Sequence, residues 1–166
     1  QAGRWCKSLR KAKKMELTLK NIVLMEPVAS KLLYYEWATP KLSYDVFKLS
    51  EFVMTQARFF NVERTKLFQK YGEKSGENVK IKTENETKFQ NEINGLISMK
   101  IPAPDLHITL DDILNVKYID STELSEPHEK LTPMDMCRLE AFFNDMQAEQ
   151  SDTSNEVVVG HIEVDE

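Results

Sequence analysis

The spacing of apolar residues changes several times along the chain, and each change predicts a different element. Residues 16–20 alternate polar and apolar side chains, which is typical of a short strand. Residues 21–37 carry apolar side chains at helical spacing, with Pro27 either in the first turn of that helix or kinking it. A long amphipathic helix about 45 Å in length, ending at Gly72, is then predicted by a stripe at steps of three, four or seven residues. Its members are Leu42, Val46, Leu49, Val53, Ala57, Phe60, Leu67 and Tyr71.

The linker between the first two helices is short and carries a helix-start signal. Thr39 is placed to cap the long helix, and Pro40 suits its first position because that position needs no N–H donor. A linker of this length favours an antiparallel helical hairpin.

The second half of the chain reads as shorter elements separated by polar or proline-containing segments. After a loop at 74–78, strands are expected at 79–82 and 106–110, with a helix at 84–99 that the prolines of 101–104 end. A single helical turn at 111–115, an extended segment at 116–119 and a polar linker at 121–130 follow. Thr132, Pro133 and Asp135 then form a capping-box-like start for a last amphipathic helix. The predicted class is α+β, mainly helical, with a long αα-hairpin, further helices and a small antiparallel sheet.

Charge divides the chain into three parts. The chain has 22 basic and 27 acidic residues, but residues 1–14 hold six basic residues and no acid, which leaves a net charge of -11 on the rest. Residues 1–14 are interpreted as a basic arm or a non-native extension before a start at Met15, with nucleic-acid contact a weaker alternative. Residues 15–148 are expected to form a single globular domain. Residues 149–166 hold six acids and no Lys or Arg, so a solvated, flexible acidic tail is expected, although its VVVGHIEV segment suits addition to a sheet edge.

Composition and motifs exclude several classes of function. The 166 residues contain no apolar run long enough for a membrane helix, and no signal peptide is apparent. Cys6 and Cys137 are too isolated for a disulfide framework or a zinc site. Phosphate-binding loops, nucleophile elbows and zincin motifs are all absent, so we expect no enzyme activity, no cofactor and no metal. His107 is interpreted as a structural strand residue, and the Thr109 to Asp112 spacing as a helix start rather than a metal site.

Aromatic residues crowd the predicted hairpin, and most of them lie at spacings that favour core packing. Three of them lie off the main apolar stripe of the long helix: Phe47, Phe52 and Phe59. A helix that is apolar on a second side usually buries that side against another surface. We therefore take these three as the candidate interface, facing either a partner subunit or the remaining helices of the same chain.

The order of several segments resembles a family of small uncharacterised proteins encoded by tailed phages and prophages of Gram-positive bacteria. The resemblance spans about residues 15–146 and includes LTLKNIV, EPVASKLL, KLSYDVFKLSEFV, RTKLFQKYGEK, TKFQNEINGLIS and LTPMDMCRLEAFF. It implies no catalytic residues. It implies a virion component or an assembly factor that acts by protein–protein contacts with phage structural proteins or with itself, in the bacterial host cytoplasm or the virion. A phage-encoded acidic regulator that binds and inhibits a host protein is the alternative, because residues 15–166 are so acidic.

Overall fold

The computed structural model describes residues 16–119 and 128–151. The predicted basic arm at 1–14, residues 121–127 of the linker and residues 152–166 of the acidic tail lie outside this range. The described residues form six α-helices: α1 Leu19–Leu24, α2 Glu26–Leu32, α3 Pro40–Tyr71, α4 Glu86–Ile97, α5 Leu110–Leu114 and α6 Pro133–Ser151. They also form six short strands: β1 Glu16–Thr18, β2 Tyr35–Glu36, β3 Gly72–Ser75, β4 Asn78–Ile81, β5 Lys100–Pro102 and β6 Lys117–Tyr118.

The predicted class, mainly helical α+β with short antiparallel strands, is confirmed. The strands are distributed over three two-stranded antiparallel ladders, β1 with β5, β2 with β6 and β3 with β4. Two of these ladders, β1 with β5 and β2 with β6, join segments that are far apart in sequence. The third is a local hairpin.

The long helix α3 organises the packing. Thr39 caps it by accepting a hydrogen bond from the Leu42 backbone N–H at 3.1 Å, and Pro40 occupies its first turn, as predicted. Val46, Leu49, Val53 and Ala57 on its inner side are buried, and all but Ala57 belong to one hydrophobic core that also contains residues from α1, α2 and α6.

The helix predicted over residues 21–37 is divided and shorter than expected. It forms α1 and α2, which meet at Met25, with Pro27 in the first turn of α2. Proline has no N–H to donate, so it suits a new helix start better than the middle of one helix. The Trp37 indole N–H donates to the Leu32 carbonyl oxygen at 3.1 Å, which satisfies the end of α2 before the chain enters β2.

Two further predictions about strands were wrong. Residues 106–110 form no strand: Ile108 is buried without a ladder partner, and Leu110 begins α5 because Thr109 caps that helix. Residues 74–75, predicted as loop, belong to β3 instead. The β3–β4 turn contains only Gly76 and Glu77, and Gly76 adopts a φ of 68°, the left-handed conformation that a two-residue hairpin turn of the II′ type requires at its first position.

Helix α6 closes the core from the other side. Leu139 and Phe142 are fully buried, and Phe143 and Met146 are nearly so. The Thr18 backbone N–H and hydroxyl both donate to Asp145 Oδ2, at 3.0 and 3.1 Å, which fixes α6 against β1. The predicted helix start is confirmed, and α6 extends through Ser151, beyond the residue at which the acidic tail was expected to begin.

Candidate protein-binding surface

The side of α3 that faces away from the core carries a second line of apolar residues. Tyr44, Phe47, Met54 and Val62 are 60, 49, 40 and 49% exposed. At 3.6 residues per turn, their steps of three, seven and eight residues place them on one side of the helix. Glu51 and Arg58 lie on the same side, between them in sequence. We call these six residues the outer stripe: Tyr44, Phe47, Glu51, Met54, Arg58 and Val62.

The aromatic end of the outer stripe is locally ordered. The rings of Tyr44 and Phe47 stack with centroids 6.4 Å apart, and the Lys48 ammonium lies 5.4 Å from the Tyr44 ring centroid. Lys48 is itself held by Asp45 Oδ1 at 3.1 Å and by the Asp105 carbonyl oxygen at 3.2 Å. The two rings are therefore supported by neighbours while they remain open to a partner.

The other end of the outer stripe borders an open groove of about 500 Å³. Met54 and Val62 supply apolar surface, Arg58 supplies a positive charge, and Glu26 at the start of α2 supplies a negative one. The remaining lining residues, all from α3, are Asn61, Thr65 and Lys66. A groove of this composition can accept an apolar or aromatic side chain and surround it with polar groups.

The charges on the outer stripe lack partners within the described part of the chain. Neither Glu51 nor Arg58 makes an ion pair or a side-chain hydrogen bond with any described residue. By contrast, Lys66 at the groove is paired with Glu63. Two unpaired opposite charges on one apolar stripe are available to a binding partner.

The structure separates the three phenylalanines predicted as an interface. Phe47 lies on the outer stripe, whereas Phe52 is partly buried and packs against the hydrophobic core. Phe59 is 38% exposed but lies close to Phe52 around the helix, about 120° away from Phe47. Of the three, Phe47 alone belongs to the outer stripe.

Sequence reasoning missed most of the outer stripe. Tyr44 is one of the hairpin aromatics whose spacing favours core packing, and the sequence predicts no interface role for Met54 or Val62. Their spacing from Phe47 places them on one side of the helix and could have identified them. The predicted interface contained aromatic residues only, and the longer apolar stripe that faces the core dominated the pattern of the helix.

The residues considered for catalysis or metal binding have other roles. The His107 side chain is 63% exposed and lies 3.9 Å from Asp105, and it belongs to no strand, which corrects its predicted setting. Thr109 and Asp112 form the predicted capping box, with the Thr109 N–H donating to Asp112 Oδ2 at 2.8 Å. Within residues 16–119 and 128–151, no three His, Cys, Asp or Glu side chains are grouped so that they could hold a metal ion.

A buried ion pair between α2 and α6 is explained by helix capping. Asp135 Oδ2 accepts from Lys31 Nζ at 2.7 Å and from the Thr132 backbone N–H at 2.8 Å, and Thr132 Oγ1 accepts from the Asp135 N–H at 3.2 Å. Burial raises the pKa of Asp135, but the hydrogen bonds from Lys31 and Thr132 outweigh it and lower that pKa overall. The hydrogen bond to Asp135 raises the pKa of Lys31. The pair therefore fastens α6 to α2 in its charged form.

A smaller cavity of about 340 Å³ lies beside this ion pair and is also accounted for by packing. The His128 ring stacks on Tyr34 with centroids 4.3 Å apart, and His128 Nε2 lies 2.7 Å from the Ile119 carbonyl oxygen. Together with the Leu131 N–H donating to the Tyr35 hydroxyl at 2.9 Å, these contacts hold the start of α6 against β2 and β6.

Comparison of the chain with protein-family models, with curated proteins and with solved structures finds no match. In the described ranges, no helix has both the length and the apolar character needed to cross a bilayer.

Proposed function

We propose that this protein acts without catalysis, by binding another protein chain through the outer stripe of α3, as a minor virion component or assembly factor of a tailed phage. The observation that carries the proposal is the exposed alignment of Tyr44, Phe47, Met54 and Val62 beside an open groove. Single exposed apolar residues are ordinary on protein surfaces, but several aligned on one helix face and bordered by polar groups mark an interaction site, and aromatic residues, Met and Arg are enriched in interfaces.

The phage setting is what the sequence resemblance implies, through the order of segments that include the Lys70 to Glu73 helix end and the Thr132 and Pro133 helix start. Both segments have structural roles here. The first ends α3 and opens the β3–β4 hairpin, and the second begins α6. These two segments therefore shape the fold, whereas the proposed binding surface is the outer stripe of α3.

Co-expression with the structural proteins of the encoding phage tests the proposal. A tagged wild-type chain is expected to co-purify with a structural protein, and Phe47→Lys is expected to lose it because a charge would enter the aromatic end of the outer stripe. Met134→Lys is the matched control, since Met134 is 62% exposed at the start of α6, outside the outer stripe. Failure of the wild type to co-purify, or equal loss in both variants, would count against the proposal.

The acidic composition of residues 15–166 favours one alternative, an inhibitor that binds a host protein by imitating nucleic acid. The dependence of partner binding on salt concentration distinguishes the two hypotheses. Binding by acidic mimicry weakens steeply as ionic strength rises, whereas burial of the outer stripe is expected to change little.

A further inference from the structure

We infer that the chain which covers the outer stripe is a second copy of this protein, with the two α3 helices antiparallel about a two-fold axis between Met54 and Thr55. This inference rests on the proposed function and names the chain that the outer stripe binds. A phage structural protein would then bind the dimer, so that Phe47→Lys loses both. The order of residues along the outer stripe is what indicates a second copy.

Charge complementarity fixes the register. Glu51 and Arg58 lie equally far from the proposed axis, on opposite sides of it. In an antiparallel pair, Glu51 of each copy therefore faces Arg58 of the other, and one axis forms two such pairs. A parallel pair in register would instead place Glu51 against Glu51 and Arg58 against Arg58, which is repulsive. Since neither residue has a partner within the described part of its own chain, both charges are available.

The apolar residues follow the same symmetry. Phe47 and Val62 are equidistant from the axis, as are Tyr44 and Thr65. Val62 and Thr65 line the open groove, so the aromatic end of one copy faces the groove of the other. The groove is on the scale needed for aromatic side chains, and the exposed rings of Tyr44 and Phe47 would lose their contact with water there.

Helix geometry allows the contact to continue along the whole stripe. Residues 44–65 span about 33 Å, and two helices that cross at about 20° stay in contact over such a length. Antiparallel packing also sets the opposite dipoles of the two helices side by side. The contact relies on a narrow stripe rather than a broad face, so we expect a reversible dimer rather than an obligate one.

Sedimentation velocity of the purified full-length chain, over a wide range of concentration, tests the dimer without any phage protein present. The wild type is expected to shift reversibly from monomer to dimer. Phe47→Lys is expected to weaken dimerisation by about tenfold or more, while Met134→Lys leaves it unchanged. Circular dichroism of each variant verifies that the helical content is retained.

Charge reversal tests the register directly. Glu51→Arg and Arg58→Glu each place like charges opposite one another, so each alone is expected to weaken dimerisation by about tenfold. The double variant exchanges the two charges and is expected to restore it. Such rescue requires that Glu51 of one copy face Arg58 of the other, which an in-register parallel pair cannot provide.

Three results would overturn the inference. These are a wild type that stays monomeric at every concentration, a dimer insensitive to Phe47→Lys, and a double charge variant that dimerises no better than either single variant. The proposed function fails separately, because it is judged by co-purification with phage proteins. A monomer that still loses a phage partner on Phe47→Lys would sink the dimer and retain the function.

Discussion

The two halves of α3 have the same helical backbone but very different surroundings. In residues 40–57 six residues of the helix are buried: Asp45, Val46, Leu49, Ser50, Val53 and Ala57. In residues 58–71 it buries Tyr71 and no other residue; α4 and the β3–β4 hairpin pack near its end, and Glu26 of α2 shares the open groove with its first turns. Helix α4 itself has no buried residue. We call these the proximal half, residues 40–57, and the distal half, residues 58–71.

The two halves are held by different forces. The proximal half relies on burial of apolar surface, with few polar additions such as the Ser50 hydroxyl donating to the Ala29 carbonyl oxygen at 3.2 Å. The distal half relies on contacts that are only partly covered: the Phe68 and Phe89 rings lie 5.0 Å apart, and Lys70 and Tyr71 both donate to Glu92. Regions with little buried apolar area open locally at low free-energy cost, so the distal half should open without global unfolding.

The largest expected effect comes from breaking the core that supports the proximal half. Phe142→Ala removes a fully buried ring from α6 and should lower the free energy of unfolding by about 3–5 kcal/mol. Urea unfolding followed by circular dichroism measures it. Phe89→Ala is the matched change in the distal half, where the ring is only partly covered, and it should cost clearly less. Equal losses in the two variants would show that both halves belong to one cooperative core.

The buried ion pair of the proximal region gives the next largest effect. Asp135→Asn retains a capping oxygen but removes the carboxylate charge that pairs with Lys31 at 2.7 Å and with Arg138 at 3.4 Å, and it leaves Lys31 only the exposed Glu129 at 3.7 Å. We expect a loss of about 2–3 kcal/mol, less than for a fully buried pair because Lys31 is partly exposed. Asp112→Asn is the matched control, since Asp112 closes a similar capping box that has no lysine partner, and it should cost about 1 kcal/mol or less. Equal costs would mean that the Lys31 charge contributes nothing.

The same pair predicts how stability changes with pH. The pKa of Asp135 is below its ordinary value of 3.8, so its contribution is complete above that value and is lost as pH falls through the lowered one. The pKa of Lys31 is above its ordinary value of 10.5, so the contribution is lost again as pH rises through the raised one. Thermal unfolding across the pH range should show both losses reduced in Asp135→Asn. Unchanged losses would assign the pH dependence to other groups.

Sequence patterns predicted the proximal half better than the distal half for a physical reason. Val46, Leu49 and Val53 recur at helical spacing because one side of the helix meets a continuous core, and the Thr39 and Thr132 caps are local signals that need no tertiary information. The strand β3 has no such pattern, because Glu73, Lys74 and Ser75 are all exposed. It forms because a two-residue turn brings it against β4, where Glu73 lies opposite Lys80.

The candidate surface was predictable only in part. Phe47 was identified because it lies off the inner stripe, but Phe52 has the same property and still packs against the core. Which positions off the stripe are covered depends on how the core packs around the helix, and that core is built from residues distant in sequence. The early end of the helix predicted over residues 21–37 has a similar cause, because the β2 pairing with β6 takes Tyr35 and Glu36 out of the helical pattern.

A smaller and local effect is expected at the start of the β3–β4 hairpin. A Cβ at Gly72 would lie 2.5 Å from the Phe68 carbonyl oxygen and closer still to a Val79 methyl group. Gly72→Ala should therefore displace the hairpin from the distal half, at a cost of about 1–3 kcal/mol. Hydrogen exchange should become faster in residues 72–97 and remain slow in α6. Gly95→Ala is the control, because a Cβ there meets no atom within 4 Å. Faster exchange in α6 as well would contradict independent opening of the distal half.

The smallest expected effect concerns the charge that joins α4 to the distal half. Hydrogen bonds from Lys70 and then from Tyr71 lower the pKa of Glu92, so its contribution is present above the ordinary value of 4.5 and is lost as pH falls through the lowered one. Because Glu92 is exposed, water and salt screen this interaction, and its removal should not change global unfolding measurably. Glu92→Gln should instead loosen the docking of α4, seen as altered NMR shifts of the Phe89 ring at neutral pH. The wild type should show the same change at acid pH. Glu84→Gln is the control, because Glu84 makes no ion pair with a described residue, and it should leave the Phe89 signals unchanged at neutral pH. A measurable drop in global stability of Glu92→Gln would show that the distal half is coupled to the core more tightly than its burial indicates.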